Sequence, residues 1–334
     1  MLYWLVLHFA IGLAGTWLAR EYAVRRELID QPGERRSHDV PTPRGGGISI
    51  VIALLVAACV LGWRNPQQII LIAGFVLGLV LVAGVGMVDD HRPLSPWLRL
   101  GVQALAAAML ALAVAGTSGN LVVSLIAFVA VMVLTNVWNF MDGINGIATT
   151  QAALVAGGLV LVVGGVWTWV ALALIAACLG FLPFNFPKAR IFLGDVGSSA
   201  LGFAIATLLA VALLDGRVFA PLLLLPLSAF LVDSGLTLLS RMAKRERWWT
   251  PHARHAYQRW ASISGSHTIV TFMYAGWTTA ASVLAWWLAG KTEVRVVLYC
   301  LVWFTMAAAS WAWLQRSREV GSGPQAAATK KDRK

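Results

Sequence analysis

The sequence predicts an all-α integral membrane protein with about 11 transmembrane helices. Hydrophobic residues make up 59% of the 334 residues and charged residues only 12%, whereas soluble domains are about 45–50% apolar and about 25% charged. Long apolar runs with almost no charge are separated by short charged segments, which is typical of a polytopic helical membrane protein. The runs do not alternate apolar with polar residues, so they do not predict a transmembrane β-barrel.

Eleven apolar runs, each roughly 15–22 residues long, are candidate transmembrane helices. They lie at 1–20, 48–63, 69–88, 99–115, 120–138, 152–165, 167–182, 198–213, 218–240, 268–289 and 294–314. Gly164-Gly165 interrupts the stretch 152–182, which favours two short helices; one long tilted helix is the alternative. Residues 1–314 are therefore predicted to form one membrane domain, and the polar, basic residues 315–334 a mobile tail.

The distribution of basic residues predicts which loops face the cytoplasm. Of the 26 Lys and Arg residues, 22 fall in one alternate set of loops and helix ends, and the other set holds only Arg64, Arg217, Lys291 and Arg295. Cytoplasmic loops are enriched in Lys and Arg, so the N-terminus is predicted to be periplasmic and the C-terminus and tail cytoplasmic. This rule and attraction to anionic lipids explain the net charge of +11. No nucleic-acid partner is expected.

Aspartates in or beside apolar runs are the first candidates for chemistry. Asp89 and Asp90 follow the run 69–88 directly. Two carboxylates there repel each other, and a helix C-terminus is the unfavourable end of the helix dipole for an anion. A nearby cation would relieve both problems; a solvated helix end is the alternative. Asp233 lies inside a predicted span, where acids are functional by default, unless it pairs with a nearby cation.

A second polar motif ends the fifth predicted helix. Asn136, Asn139 and Asp142 recur every three residues and therefore share one helical face. Asn145 follows between two glycines, which allow a tight turn. This amide-rich stripe indicates hydrogen bonding to a polar ligand, and a solvated helix end with a glycine cap is the alternative.

A third motif, in residues 184–199, joins the seventh and eighth helices. It contains Asn185, Phe192 and a Gly-Asp-x-Gly-Ser turn around Asp195. Backbone N–H groups at the start of the eighth helix could cradle a phosphate, and Asp195 could hold a hard cation such as Mg²⁺. The alternative is that Asp195 is a simple N-cap.

Two further loops carry cations or glycines. The loop 241–267 contains His252, Arg254, His255 and Arg259, a density that suits phosphate recognition; binding of anionic lipid is the alternative. Residues 41–47 contain Thr42, Arg44, Gly45 and two more glycines. Such a loop lets the backbone approach a ligand closely, or acts as a hinge before the second helix. Acids, a glycine turn and a basic loop on one face suggest metal-assisted phosphoryl chemistry with a nucleotide.

In this order the motifs resemble those of the polyprenyl-phosphate N-acetylhexosamine-1-phosphate transferases, glycosyltransferase family 4. Residues 42–46 are similar to the family's Thr-Pro-x-x-Gly-Gly loop, and Asp89-Asp90 to its Asp-Asp pair. Residues 136–146 are similar to its Asn-x-x-Asn-x-x-Asp-Gly-x-x-Gly segment, and 192–198 to its Phe-x-Gly-Asp-x-Gly-Ser segment. The loop 251–259 most resembles the Gram-negative branch that starts O-antigen units. Asn145 departs from the pattern, since much of the family has Asp there.

The resemblance implies an enzyme of the bacterial inner membrane with its site on the cytoplasmic face. It would transfer a sugar-1-phosphate from a UDP-N-acetylhexosamine to undecaprenyl phosphate and release UMP. The implied donor is a 6-deoxy sugar such as N-acetylfucosamine or N-acetylquinovosamine, with UDP-N-acetylglucosamine as the alternative. Mg²⁺ is the implied cofactor and Mn²⁺ a substitute. A homodimer is left open. The rival functions are a transporter of lipid-linked sugars and a non-catalytic partner that binds the lipid carrier.

The implied site residues fall into three groups. The catalytic group is Asp89, Asp90, Asp195, His252 and His255, and the metal ligands are Asp195 and Asp90. In the family, Asp195 corresponds to the metal-binding aspartate and Phe192 to the phenylalanine that packs on uracil. The substrate-binding group is Thr42, Arg44, Gly45, Asn136, Asn139, Asp142, Asn145, Asn185, Phe192, Arg254 and Arg259.

Overall fold

The computed structural model describes residues 1–32, 40–216, 218–247, 250 and 252–317. Its regular structure consists of α-helices, one 3-10 turn at Pro66–Gln68 and one pair of two-residue strands. The helices are α1 (Leu2–Arg25), α2 (Ile48–Arg64), α3 (Ile69–His91), α4 (Pro96–Ser118), α5 (Leu121–Met141), α6 (Ile147–Val160), α7 (Gly165–Asn185), α8 (Gly194–Leu214), α9 (Ala220–Leu224), α10 (Ser228–Ala243), α11 (Ala256–Ser264), α12 (His267–Leu288) and α13 (Glu293–Arg316). Most of the predicted tail, residues 318–334, lies outside the described part of the chain.

Eight of the described helices are long and apolar enough to cross a membrane: α1, α3, α4, α5, α7, α8, α12 and α13. The shorter helices α2 and α6 are also apolar. The architecture is therefore that of an all-helical, multi-pass membrane protein. The stretch 152–182 forms parts of two helices, α6 and α7, in agreement with the interpretation favoured by Gly164-Gly165.

The predicted span 218–240 is not one continuous helix. It consists of the short helix α9 and the helix α10, separated by residues 225–227. Pro226 accounts for the break, because it has no N–H to donate to the helical hydrogen-bond ladder. Around it the chain tightens, and the N–H of Leu227 bonds three residues back to the carbonyl of Leu224 at 3.2 Å.

Two small elements lie inside segments that the sequence predicts as loops. Helix α11 occupies residues of the basic loop 241–267. The strands β1 (Ile29–Asp30) and β2 (Thr42–Pro43) form an antiparallel pair in which Asp30 faces Thr42. Both elements fix segments that carry candidate site residues.

Helix α8 lies at the centre of the bundle. In an apolar stretch of 18 residues of this helix, 94% of the residues are buried. The buried share of such a stretch is only 17% in α1 and in α13, which expose apolar side chains. Gly202 allows this central position, since a Cβ there would lie 2.2 Å from the carbonyl oxygen of Leu134 in α5. Asp195 lies in the first turn of this central helix.

The two predicted sets of loops gather at opposite ends of the bundle. A cavity of about 1060 Å³ at one end is lined by Met1, Asn65, Ser118, Gly164 and Asp215, which belong to the set with few basic residues. The acidic motifs and the glycine loop meet at the other end, as the hydrogen bonds described below show. The basic loop lies beside them, since the hydroxyl of Tyr257 donates to the carbonyl of Phe140, two residues before Asp142.

Candidate active site

Asp90 holds the N-terminus of α8. Its Oδ1 accepts the N–H of Asp195 at 3.1 Å and its Oδ2 accepts the N–H of Val196 at 3.1 Å. The side chain is almost completely buried. The carboxylate thus belongs to the C-terminus of α3 in sequence but lies at the N-terminus of α8 in space, where the helix dipole favours an anion.

This contact changes two predictions about α8. The helix begins at Gly194, with Leu193 as its N-cap residue, so Asp195 lies in the first turn and is not the cap. Two of the N–H groups predicted to cradle a phosphate are already occupied by Asp90. Those two N–H groups are therefore not free to hold an anion other than Asp90.

The glycine loop 42–47 is attached to the segment before α8 by three backbone hydrogen bonds. The N–H of Phe192 donates to the carbonyl of Pro43 at 2.8 Å, and the N–H groups of Gly46 and Gly47 donate to the carbonyls of Phe192 and Leu193 at 2.9 and 2.8 Å. A Cβ on Gly47 would lie 2.3 Å from the Cα of Gly197, so only glycine permits this approach.

Arg44 projects from this loop beside the acidic groups. It lies close enough to Asp90 to interact with it electrostatically. Its Nε is buried and has no hydrogen-bond partner among the described residues. Thr42, by contrast, is buried and donates its hydroxyl hydrogen to the carbonyl of Val40 at 2.9 Å, so it stabilises the loop. Gly45 adopts a φ of 93°, which favours glycine.

Asp89 and Asp195 converge on one guanidinium nitrogen. Nη1 of Arg99, in the first turn of α4, donates to Oδ2 of Asp89 at 2.7 Å and to Oδ2 of Asp195 at 2.6 Å. The other oxygen of Asp89 accepts the N–H of Leu94 at 2.6 Å. In the sequence, Arg99 counts only as one of the cytoplasmic positive charges. A basic residue at the start of an apolar helix is nevertheless a signal for an acidic partner nearby.

The asparagine stripe of α5 faces α4 and α8. Nδ2 of Asn136 donates to Oε1 of Gln103 at 2.8 Å, and Nδ2 of Asn139 donates to Oγ of Ser198 at 3.2 Å. Asp142 lies just beyond the helix, and burial together with the carboxylates of Asp195 and Asp90 raises its pKa well above the usual value. The predicted shared face thus points towards α4 and α8, and Asp142 at its end lies near the acidic cluster.

Asn145 and Asn185 hold the loops around the site. Asn185 is buried; its Oδ1 accepts the N–H of Gly146 at 2.8 Å and its Nδ2 donates to the carbonyl of Ile191 at 2.9 Å. Nδ2 of Asn145 donates to the carbonyl of Pro187 at 3.0 Å. Both residues, predicted to bind substrate, are therefore engaged in joining the loop after α5 to the loop after α7.

The basic loop is anchored by Asp233. Its Oδ1 accepts the N–H of Ala256 at 2.8 Å, and its Oδ2 accepts the N–H of Tyr257 at 3.0 Å and the hydroxyl of Tyr274 at 2.8 Å. Nδ1 of His255 lies 3.5 Å from Oδ1. Asp233, predicted to lie within a span, thus caps α11, and the buried His255 is the N-cap residue of that helix.

The other members of the basic loop differ in their surroundings. Burial, reinforced by the neighbouring cations, lowers the pKa of His252 to about 4, so the imidazole is neutral at pH 7. Arg254 is exposed and its Nη1 donates to Oε1 of Glu246 at 2.5 Å. Arg259 donates from Nε to the carbonyl of Ser317 at 3.1 Å, at the end of α13. Arg259 therefore fixes the C-terminal helix to the loop.

The acidic cluster suits a divalent cation. Among the described residues no group of three or more His, Cys, Asp or Glu side chains has a metal-binding arrangement, but Mg²⁺ usually needs only one or two carboxylates with waters and substrate phosphates. Asp89 and Asp195 both bind the positively charged guanidinium group of Arg99. Asp90, the second predicted ligand, is buried and accepts a backbone N–H on each oxygen, whereas Asp89 accepts a backbone N–H on only one oxygen and turns the other towards Arg99. The geometry therefore favours Asp89 as the partner of Asp195.

The fold and site define a multi-pass membrane protein with an acidic centre at one end of its bundle. Residues 72–213 match glycosyl transferase family 4. This match includes the acidic pair, the asparagine stripe and the start of α8, and excludes the loops 42–47 and 252–259.

Three relatives extend this likeness. The decaprenyl-phosphate N-acetylglucosaminephosphotransferase of Mycobacterium leprae is 28% identical over 321 residues, covering 82% of this chain and 78% of that protein. The probable undecaprenyl-phosphate N-acetylglucosaminyl 1-phosphate transferase of Bacillus subtilis is 25% identical, covering 75% of each chain. The phospho-N-acetylmuramoyl-pentapeptide-transferase of Moorella thermoacetica is 37% identical over 206 residues, covering 52% of this chain and 63% of that protein. The chain is thus similar to glycosyl transferase family 4 over residues 72–213, and to the first two of these transferases, at 25–28% identity, over most of its length.

Proposed function

We propose that this chain transfers an N-acetylhexosamine-1-phosphate group from a UDP-sugar to undecaprenyl phosphate and releases UMP. The observation that carries the proposal is the convergence of Asp89 and Asp195 on one cation at the start of α8. Relatives are named as polyprenyl-phosphate sugar-phosphate transferases. Transfer between two phosphorylated substrates requires compensation of their negative charge, and this end of the bundle offers both carboxylates for a cation and guanidinium groups for phosphates.

In the proposed reaction an oxygen of the acceptor phosphate attacks the β-phosphorus of the UDP-sugar. The bond from that phosphorus to the bridging oxygen breaks, and UMP leaves with that oxygen. Asp195 with Asp89 would hold Mg²⁺, which when bound neutralises charge on the donor pyrophosphate. The acceptor monoester has its second pKa near about 6 and is already largely dianionic at pH 7. A strong general base is therefore unnecessary.

The surroundings of Asp89 favour this direct attack over a covalent aspartyl intermediate. One oxygen accepts the N–H of Leu94 at 2.6 Å and the other accepts from Arg99 at 2.7 Å. A carboxylate with both oxygens hydrogen-bonded is a weaker nucleophile and a weaker base. We propose that Asp89 orients the cation, that Arg44 contributes charge for a phosphate, and that neutral His252 acts as a hydrogen-bonding group.

The rival functions are less well supported. A transporter places ionisable groups near the middle of the membrane, whereas the acids described above crowd one end of the bundle. Asp233 is buried but is used to cap α11. A non-catalytic partner that binds the lipid carrier has no need for a paired acidic cluster.

The proposal is tested with purified protein, undecaprenyl phosphate and radiolabelled UDP-N-acetylhexosamines, with and without Mg²⁺. Formation of a radiolabelled lipid together with UMP is the expected result. No labelled lipid with any donor, from protein that is folded and monodisperse, would refute the transferase assignment and favour the rivals.

We further propose that the chain crosses the bacterial inner membrane 11 times, with α9 and α10 forming one crossing. Reporter fusions at Gly116 and Gly216 are then expected to be periplasmic, and fusions at Ala148 and Arg247 cytoplasmic. The reason is the 22-to-4 division of basic residues, which also allows the cytoplasmic loops to contact anionic lipids. A periplasmic signal at Arg247 would contradict both this topology and the position of the site.

The donor is proposed to be a UDP-N-acetylhexosamine without a 6-hydroxyl, because the loop 251–259 resembles the O-antigen-starting branch. The names of the relatives favour N-acetylglucosamine as the second candidate. An apolar pocket rejects an added hydroxyl by only about 10²-fold, so slow use of UDP-N-acetylglucosamine is expected. Competition between the donors in one membrane preparation measures the preference. A higher kcat/KM for UDP-N-acetylglucosamine would reject the 6-deoxy donor and leave the transferase proposal intact.

A further inference from the structure

Arg99 makes an unusual contact with its two carboxylates. Arginine normally binds a carboxylate through two nitrogens in a parallel fork. Here the single atom Nη1 is hydrogen-bonded to both Asp89, at 2.7 Å, and Asp195, at 2.6 Å. One positively charged atom between two carboxylates from different helices is the arrangement expected of a bridging monatomic cation.

The three side chains come from three helices. Asp89 ends α3, Arg99 begins α4 and Asp195 begins α8. All three are half-buried, with 14%, 27% and 28% of the side-chain surface exposed. Two carboxylates at one such site repel each other unless a cation lies between them. Arg99 therefore compensates the charge of both carboxylates, and part of its side chain remains exposed to solvent.

We propose that Nη1 of Arg99 occupies the position of the divalent cation between Asp89 and Asp195, and that the cation displaces it on binding. Metal and guanidinium then compete for the same two oxygens. This competition weakens the apparent affinity for the metal and keeps the empty site neutralised. The inference rests on the proposed metal-assisted function, but it concerns a positioning residue that the sequence motifs do not contain.

The test measures binding of Mn²⁺ to the purified protein in the absence of donor. Binding is monitored by electron paramagnetic resonance as the loss of the signal of free Mn²⁺. Arg99→Gln is expected to bind Mn²⁺ on the order of 10- to 100-fold more tightly than the wild type, because a competing charge-assisted hydrogen-bond network is removed. Arg99→Lys retains a competing charge and is expected to lie between them. Mg²⁺ should displace Mn²⁺ from all three proteins.

Two controls make the result specific. Arg92→Gln removes the same charge from an exposed side chain a few residues away, and its affinity for Mn²⁺ is expected to change less than about twofold, because exposed charges are well screened. Asp195→Asn is expected to bind Mn²⁺ much more weakly. Equal or weaker binding by Arg99→Gln, in protein that elutes and melts like the wild type, overturns the inference.

The proposed function has a separate outcome. If Arg99→Gln binds no more tightly while the wild type still transfers sugar phosphate with Mg²⁺, only the placeholder role of Arg99 fails. If Mn²⁺ binds to none of the variants and no transfer occurs, the metal-assisted function fails as well. If Arg99→Lys misfolds, the comparison of Arg99→Gln with Arg92→Gln still decides the question.

Discussion

Asp195→Asn is expected to lower turnover by on the order of 10²–10³-fold or more while the protein remains folded in the membrane. The substitution keeps the shape of the side chain and removes the charge that the proposed cation needs. Asp90 contacts the backbone N–H of residue 195, not its side chain, so the capped start of α8 is retained. Turnover is measured as labelled lipid formed across a range of Mg²⁺ concentrations, and folding by size-exclusion chromatography and thermal unfolding in detergent.

The other end of α8 offers a matched control. Asp215 is the C-cap residue of this helix, and its Oδ2 accepts the N–H of Gly164 at 3.1 Å beside the cavity at the opposite end of the bundle. Asp215→Asn makes the same chemical change on the same helix and is expected to leave turnover within about twofold, because it changes only an exposed contact. Near-normal turnover and unchanged Mg²⁺ dependence in Asp195→Asn would contradict the assignment of this residue.

Sequence spacing carries information about local geometry but not about contacts between distant segments. Three-residue spacing placed Asn136 and Asn139 on one face, and both side chains do point towards neighbouring helices of the cluster. The position of Asp90 could not be predicted in this way. Its partners lie more than 100 residues away, at the start of α8, and local spacing carries no information about such long-range contacts.

The same limit applies to the fold. Long apolar runs predict helices because length and hydropathy are local properties. Pro226 is a helix-breaking signal, but the apolar residues on both sides of it led to the prediction of one continuous span. Helix α11 was missed for the opposite reason. Its residues are polar, so the segment was predicted to be a loop. It is fixed by the remote carboxylate of Asp233, a tertiary contact that overrides local propensity.

Asp233→Ala is expected to cause the largest loss of stability among single substitutions at this end of the bundle. It would leave the N–H groups of Ala256 and Tyr257 and the hydroxyl of Tyr274 without their buried acceptor. Each unpaired buried donor costs about 1–3 kcal/mol, so a loss on the order of 3–5 kcal/mol in the free energy of unfolding is expected. Thermal unfolding in detergent measures it, and the KM for the donor is expected to rise because the loop with His252 and Arg254 loses its anchor.

Two matched variants separate the capping role from a general effect of disturbing the core. Tyr274→Phe removes one donor and leaves both capping bonds of Asp233 in place, so it is expected to cost only about 0.5–1.5 kcal/mol. Asp233→Asn keeps one acceptor oxygen but turns an amide towards the second N–H, and its stability and its KM for the donor should lie between those of Tyr274→Phe and Asp233→Ala. If Asp233→Ala melts like the wild type, or if it loses turnover at an unchanged donor KM, Asp233 does not act as a helix cap that positions the basic loop. A direct part in the chemistry would then be the better explanation of this buried acid.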